Sequence, residues 1–375
     1  MSDASAALFR PDNEAELVEL LSVPGPPFEL VAGGTKRGIG RPVNAPLLDL
    51  SRLSGIVDYQ PGELVLTARP ATPLAQIQAL LSTQRQRLGF EPPAAVLLDP
   101  SRDQTLGGVL MANSSGSRRV TAGSARDHFL GFRAVNGRGE AFVGGGRVVK
   151  NVTGFDLPKA LAGSWGTLAA LTEVTVRLVP AAEFERTLIF AALSVEAAVA
   201  RCSAALGSMF DVSSAAFVPS HGVALRLEGL TTSVESRAAD LLTALGGSPH
   251  AVLDAAASCQ FWQQVGAAAA LASFPVIWRL SVAPLQAARI LAEIEAEDFL
   301  LDWGGGLIWI GARELEAQRV RGALRGGHAT LIKASDTQRR ACASFEPQAP
   351  AIADIAARFK AAFDPDNRLN PGRMS

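Results

Sequence analysis

Val31-Ala-Gly-Gly-Thr-Lys-Arg-Gly38 follows a short apolar run, Phe28 to Ala32, and sets two adjacent glycines at the end of a predicted strand. Glycines in such a turn let backbone N–H groups approach a diphosphate, which a Cβ would prevent. Lys36 and Arg37 add positive charge beside it. On this reading Gly33, Gly34, Thr35, Lys36, Arg37 and Gly38 are candidate phosphate-binding residues. The same pattern also reads as a tight surface turn. It is not the G-x-G-x-x-G fingerprint of a dinucleotide-binding βαβ unit, and no G-K-[ST] follows for a P-loop.

Three further clusters repeat the texture downstream. Asp99 to Gly108 contains Thr105, Gly107 and Gly108, and is followed by Ala112-Asn-Ser-Ser-Gly116 and Gly123-Ser-Ala-Arg-Asp127. These segments offer hydroxyl and backbone donors among small residues, as a polar ligand lying along the chain requires; generic Gly/Ser loops have the same composition. Next come Lys150-Asn-Val-Thr-Gly-Phe-Asp156 and Ala162-Gly-Ser-Trp-Gly-Thr-Leu168, leading into Leu171 to Val179. That last run alternates over nine residues and is the strongest strand signal in the chain. The fourth cluster is Phe363-Asp-Pro-Asp-Asn-Arg-Leu-Asn370-Pro-Gly-Arg373.

Around these motifs the pattern predicts a helix over 13–21, strands over 46–50, 55–59 and 64–69, and a helix from Thr72 as N-cap and Pro73 as first residue to about Gln86. Residues 91–102 read as loop. Beyond Pro180 glycine loops thin out. Strands are expected over 186–191, 213–218, 223–228, 275–282, 300–303, 307–310 and 329–333. Helices are expected over 195–206, 234–245, 284–296, 313–324 and 350–363. The order suggests an antiparallel α+β sheet with helices on one face. A boundary is expected near 180–185, and no internal repeat is evident in the residues.

Composition narrows the function classes. A hydrophobic content of 48% against 19% charged residues suits a globular chain with a sizeable core and excludes disorder as the main state. With 35 Lys plus Arg against 36 Asp plus Glu, no global field exists to hold nucleic acid or an anionic membrane. Cys202, Cys259 and Cys342 are too few and too far apart for a disulfide framework or an iron–sulfur cluster. The most apolar stretch, 265–278, falls short of the ~20 residues that span a bilayer. A cytoplasmic protein is expected, at the inner membrane only through partners.

In this order and over this length, the four clusters resemble flavoproteins of the vanillyl-alcohol oxidase, or p-cresol methylhydroxylase, type. Within that superfamily the chain is similar to the FAD-binding subunits of glycolate oxidase. The sharpest markers are Gly40-Arg-Pro-Val43, Lys150 to Asp156, Asp302-Trp-Gly-Gly305, Gly327-His328-Ala-Thr330 and Asn370-Pro-Gly-Arg-Met374. The resemblance implies an α+β fold: a two-part FAD-binding domain (1–182), an antiparallel α+β cap (183–340), and a segment (341–375) returning to the first part. It implies FAD with its diphosphate on Gly33 to Gly38 and on Thr105, Gly107 and Gly108. Ser115, Gly116, Lys150, Asn151, Gly154 and Asp156 are then expected on the flavin side, and the Val174 backbone at the adenine end. Asn370 and Arg373 are expected near the isoalloxazine, and Gly123, Asp127 and Gly166 among the remaining cofactor contacts. Relatives that tether FAD covalently use a histidine in the first loop or a cysteine in the second segment. Here the first loop has Thr35, and no cysteine lies in 1–201, so FAD is expected to be non-covalent.

The implied activity is oxidation of 2-hydroxy acids, glycolate to glyoxylate, within a complex holding a paralogous FAD-containing catalytic subunit and an iron–sulfur subunit. The cap is then partly an interaction surface. Alternatives are a self-sufficient 2-hydroxy-acid dehydrogenase and a flavin-stabilised scaffold without redox turnover. Such an oxidation needs a cation for the carboxylate and a base for the hydroxyl proton. Arg226, Arg279, Asp302 and His328 are the cap candidates, with Arg279 as the carboxylate fork and His328 as the base. The H-x-G-D-G-N pattern of metal-using relatives is missing around His328, so no metal is expected.

Overall fold

The structure, a computed structural model, describes residues 8–93, 99, 101–146, 155–192 and 194–374. Its organising element in the first half is the twelve-residue strand Ala169–Pro180. This strand pairs antiparallel with Val65–Ala68 on one side and Phe129–Asn136 on the other, and its far end takes Gln86–Leu88. Ile56–Gln60 and Ala141–Gly145 complete the sheet at its edges. The alternating run at 171–179 is thus a central strand. Its Leu171, Val174, Val176 and Leu178 are buried against Ile77 and Leu81 of helix Leu74–Ser82 and against Leu106, Val109 and Leu110 of helix Leu106–Ala112.

Beside this sheet stand three short parallel strands, Leu8–Phe9, Leu47–Asp49 and Glu29–Val31. Helix Glu14–Ser22 closes over them through Leu17 and Leu21. Its N-cap is Asn13, whose side chain accepts from the Glu16 N–H at 3.0 Å. Thr72, expected as an N-cap, is not one. Its hydroxyl donates to the Arg69 and Gly55 carbonyls instead, and the helix begins one residue after Pro73. Nor does that helix reach Gln86. Arg85 takes φ 51°, and Gln86–Leu88 leaves as a strand.

Residues 184–333 build one eight-stranded antiparallel sheet. Two β-α-β-β-α-β halves compose it. The first runs from Phe184–Phe190 to Ala251–Leu253, the second from Val276–Ser281 to His328–Lys333. The strand orders of the halves mirror one another, and they join edge to edge where Phe217 pairs with Leu301. An internal repeat therefore exists in topology, although the residues carry no period that announces it.

Helices Val195–Leu206, Thr231–Leu245, Ala287–Ile294 and Ala317–Gly322 cover one face through Val199, Val234, Ile290 and Val320. The expectation that all helices share that face needs correcting. Helix Ala255–Gly266, absent from the sequence-based assignment, packs Phe261, Trp262 and Val265 on the other face. Ile39 joins that second cluster, with Trp165 and Phe345 against it, so this face of the sheet looks onto the first half of the chain.

After helix Pro350–Phe363 the chain returns to the beginning. Leu369 bridges Phe28 in parallel, the Phe28 N–H donates to the Arg368 carbonyl at 2.7 Å, and the Asn370 N–H to the Phe28 carbonyl at 2.9 Å. Asp364 fixes the turn before it by accepting from the Arg368 and Leu369 N–H groups at 2.8 Å each.

Candidate functional site

Strand Glu29–Val31 delivers the first glycine loop to one wall of a groove, and helix Leu106–Ala112 supplies the facing wall. Thr105 starts that helix by accepting from the Gly108 N–H, so Gly107 and Gly108 lie in its first turn. A Cβ at Gly33 would stand 2.1 Å from the Asp103 carbonyl, and one at Gly107 would stand 2.5 Å from Pro70 Cβ. Gly34 adopts φ 76°, which side-chain-bearing residues avoid. The N–H groups of Gly33, Gly34, Thr35 and Lys36 donate to no other described residue. Lys36 bonds Gln104 Oε1 through Nζ at 2.7 Å, and burial lowers its ammonium to about 8. Unshared N–H donors beside a buried ammonium call for an anion, and a diphosphate fits them.

The tail completes this wall. Asn370 accepts from the Leu30 N–H through Oδ1 at 2.9 Å and donates from Nδ2 to the Trp165 carbonyl at 2.8 Å. Arg373 donates to the Lys36 carbonyl at 2.9 Å. Asn370 and Arg373 thus line the same groove as the glycine loop. Gly166, at φ 69°, lies against Asn370.

Lys36, Ala112 and Trp165 are shared between this groove and a second cavity of about 440 Å³, so the two are continuous. Ser115 lines the second cavity from below, and the sheet of 184–333 covers it. Strand Val276–Ser281 lies between Leu307–Ala312 and His328–Lys333, with Arg279 opposite Trp309 and Thr330. Alternation then puts Arg279, Trp309, Thr330 and His328 on the cavity face. The two expected catalytic residues, 49 positions apart and on neighbouring strands, line one cavity.

The electrostatics of that cavity are cationic. Burial first, and then the nearby charge of Arg119, lower the Arg279 guanidinium to about 10 against the pull of Asp302. No hydrogen-bond partner engages it among the described residues; it lies over the Trp303 ring at 4.9 Å and the Trp309 ring at 5.7 Å. His328 is held below the ordinary imidazole value, first by desolvation and then by Arg279 and Arg119. Asp302 is fully buried behind Trp303. Desolvation raises its carboxyl to about 7, against hydrogen bonds from the Ser117 hydroxyl and the Trp303 N–H.

Several expected residues lie elsewhere. Gly38 is exposed beyond the loop. Gly116 sits behind the cavity, receiving Trp303 Nε1 on its carbonyl at 3.0 Å. Gly123 and Asp127 form a capped turn in which Asp127 accepts from the Ser124 N–H and hydroxyl at 2.8 Å. Asp156 pairs with Lys159 on the surface. Val174 is interior to the central strand, with Ala68 and Phe132 on either side. Lys150, Asn151 and Gly154 lie outside the described residues. Arg226, considered for the carboxylate, is taken up by Glu91 at 2.8 Å and Glu185 at 2.6 Å.

Sequence reasoning passed over Arg119, Gln104, Trp165 and Trp309, which line the cavity. Arg119 had a signal: it closes an arginine pair that stands between two motifs already singled out, 112–116 and 123–127. Among the described residues, no three His, Cys, Asp or Glu side chains gather as a metal site, and no helix is long and apolar enough to cross a membrane.

Comparisons with known proteins agree with this geometry. The profile of a family described as FAD binding domain matches residues 5–145. Glycolate oxidase subunit GlcE of Escherichia coli (strain K12) is 34% identical over 351 residues, 93% of this chain and 92% of that protein. Glycolate oxidase subunit GlcD of Bacillus subtilis (strain 168) is 31% identical over 154 residues, 40% of this chain and 31% of its own. Among solved structures, alkyldihydroxyacetonephosphate synthase superposes with a TM-score of 0.64 at 14% identity, covering 97% of this chain and 75% of that one, which shows the shared fold.

Proposed function

The chain belongs to the family of FAD-binding flavoproteins that includes the glycolate oxidase subunits, and from that premise we propose that it is the FAD-binding subunit of a multi-subunit enzyme oxidising 2-hydroxy acids such as glycolate. FAD is its cofactor. The observation that carries the reading is the continuity of the groove: unshared N–H donors at one end, and Arg279 and His328 at the other. Residues 1–182 and 341–375 make the FAD-binding part and 183–340 the cap, a division supported by the tail's bonds to the first glycine loop. The partners are a paralogous FAD-containing subunit and an iron–sulfur subunit that carries electrons onward. Assembly with them is what brings this chain to a membrane.

FAD supplies a two-electron acceptor when bound. Arg279 holds the substrate carboxylate with its fork and aims carbon 2 along the groove. His328, uncharged at neutral pH because of its lowered pKa, takes the hydroxyl proton at an imidazole nitrogen. The substrate gives up that proton and a hydride and leaves as a 2-oxo acid. The cap shields the cavity from water on the side opposite Ser115. Because the first loop carries Thr35, FAD is held without a covalent bond. Acid precipitation should leave the flavin in the supernatant; flavin retained on the polypeptide would overturn this.

The second reading, a self-sufficient dehydrogenase, is favoured by one fact: both candidate catalytic groups are in this chain. Adding glycolate and D-lactate anaerobically to the purified holoprotein decides between them. Prompt bleaching of bound flavin supports self-sufficiency. Flavin that stays oxidised until partner subunits are added supports the subunit reading. Purified protein unable to bind FAD would sink both.

A further inference from the structure

Two guanidinium groups line the second cavity without an ion-paired carboxylate among the described residues. Arg119, from helix Arg119–Ala122, lies 4.9 Å from the Trp303 ring centroid, and Arg279 lies at the same distance from the same ring. Their guanidinium carbons are therefore no more than twice 4.9 Å apart. Neighbouring arginines, Arg226 buried and Arg87 half-buried like the pair itself, behave differently. Arg87 and Arg226 each reach a glutamate at 2.6 Å. Unpaired charge is expensive to bury, and a π face offsets only part of the cost.

The surroundings compensate the pair only in part: the charge of Asp127 favours Arg119, but Asp127 forms no ion pair with it and accepts from the Ser124 N–H and hydroxyl instead. Asp302, the nearest acid to Arg279, forms no ion pair with it and spends its oxygens on Ser117 and Trp303. Glu346, on the cavity wall, is engaged by the Ala329 N–H at 3.0 Å and by Arg321 at 3.4 Å. Trp309 adds a buried Nε1–H donor that no described residue accepts. Trp303 itself is held rigidly. It takes φ 54° before Gly304 at φ 67°, and its ring N–H is bonded to the Gly116 carbonyl. A backbone conformation this unfavourable for tryptophan is maintained where the position of the ring matters.

One carboxylate balances one guanidinium. We propose that this cavity takes a small dicarboxylate, with a 2-hydroxy dicarboxylate as its oxidisable form, and that Arg119 is the second carboxylate-binding residue. The inference rests on the substrate-site reading above and narrows its substrate class. Arg279 grips the carboxylate next to carbon 2, and Arg119 grips the distal one across Trp303.

The test uses purified holoprotein and acids matched in length: D-malate against D-2-hydroxybutyrate, and tartronate against D-lactate. Affinities are read by anaerobic calorimetry and by perturbation of the flavin spectrum, so they do not depend on turnover. Each dicarboxylate should bind at least tenfold more tightly than its monocarboxylate match. Arg119→Gln should erase that difference while moving the monocarboxylate affinity less than threefold, and Arg279→Gln should weaken both. Arg119→Lys, which keeps the charge without the fork, covers the case of a glutamine variant that fails to fold and should retain part of the preference. Equal affinities in the unaltered protein, or a preference that survives Arg119→Gln, would overturn the proposal. So would loss of FAD rather than of dicarboxylate from Arg119→Gln, since Arg119 would then serve the cofactor. These outcomes are separate from failure of the functional reading, which shows as absent flavin or as flavin that no 2-hydroxy acid reduces even in the assembled complex.

Discussion

Arg279→Met should slow reduction of the flavin by a 2-hydroxy acid by about 10³-fold while leaving FAD in place. The guanidinium is desolvated and has no hydrogen-bonding partner of its own, so a substrate carboxylate meets its full field. Truncating one side of a buried, hydrogen-bonded charge pair costs about 2–5 kcal/mol, and about 4 kcal/mol is three orders of magnitude in rate. Stopped-flow reduction, with the flavin spectrum as a check on occupancy, reads both parts of the expectation. His328→Ala should lower the same rate by about 10²–10⁴-fold. It should also remove the fall in rate that the unaltered protein shows as acid protonates His328, below the ordinary imidazole range because its pKa is lowered. Unchanged reduction in both variants would remove these residues from the chemistry.

Arg226→Met should destabilise the fold by about 3–5 kcal/mol, the usual result of leaving buried carboxylates without their cation. Arg226 is 3% exposed and binds Glu91 from the first half of the chain and Glu185 from the cap, with Glu228 at 3.8 Å. Arg87 adds a 2.6 Å bond to Glu228, and Arg118 stands 3.7 Å from it. Burial works against the Arg226 charge, but the three glutamates outweigh it and raise its pKa. Glu228 shows the converse. Burial would raise its carboxyl, yet Arg226, Arg118 and Arg87 bring it down to about 2. A lowered carboxylate contributes stability above its ordinary pKa of 4.5 and loses it as pH falls toward 2. The variant should therefore unfold at lower urea and at higher pH during acid titration. Arg226→Lys should lose less, keeping charge without the fork. An unaltered urea midpoint in Arg226→Met would show that the cluster does not hold the halves together.

The sequence was most legible where a single period ruled. Residues 171–179 alternate because one face of the strand, with Val174, Val176 and Leu178, packs into the core while Glu173, Thr175 and Arg177 take the other, and the strand is there. Residues 350–363 read as a helix and form one with the same limits. What stayed hidden depends on distant chain. Gln86–Leu88 continues a helical pattern but is claimed by Leu178–Pro180, a partner ninety residues on. The two βαββαβ halves share strand order and no residue rhythm, so only the paired structure discloses the repeat. In the site, glycine runs and a lone arginine on a strand were visible as motifs. Arg226 and Arg279 looked equivalent, and only their partners separate them: three carboxylates for one, two tryptophan rings for the other. Arg119 gains its meaning from Trp303, 184 positions later in the chain.

The bonds from Asn370 and Arg373 to Leu30, Trp165 and Lys36 also have a temporal meaning. A ribosome must finish both early sheets, the whole cap and the helix Pro350–Phe363 before the groove has its last wall. Cofactor loading is then an event that follows synthesis, and the early half waits with its N–H donors open to water. Translation that halts between Lys333 and Leu369 yields a chain with every sheet strand made and no complete seat for FAD. Flavin occupancy thereby reports that the segment carrying Asn370 and Arg373 has been made and has docked on the first glycine loop.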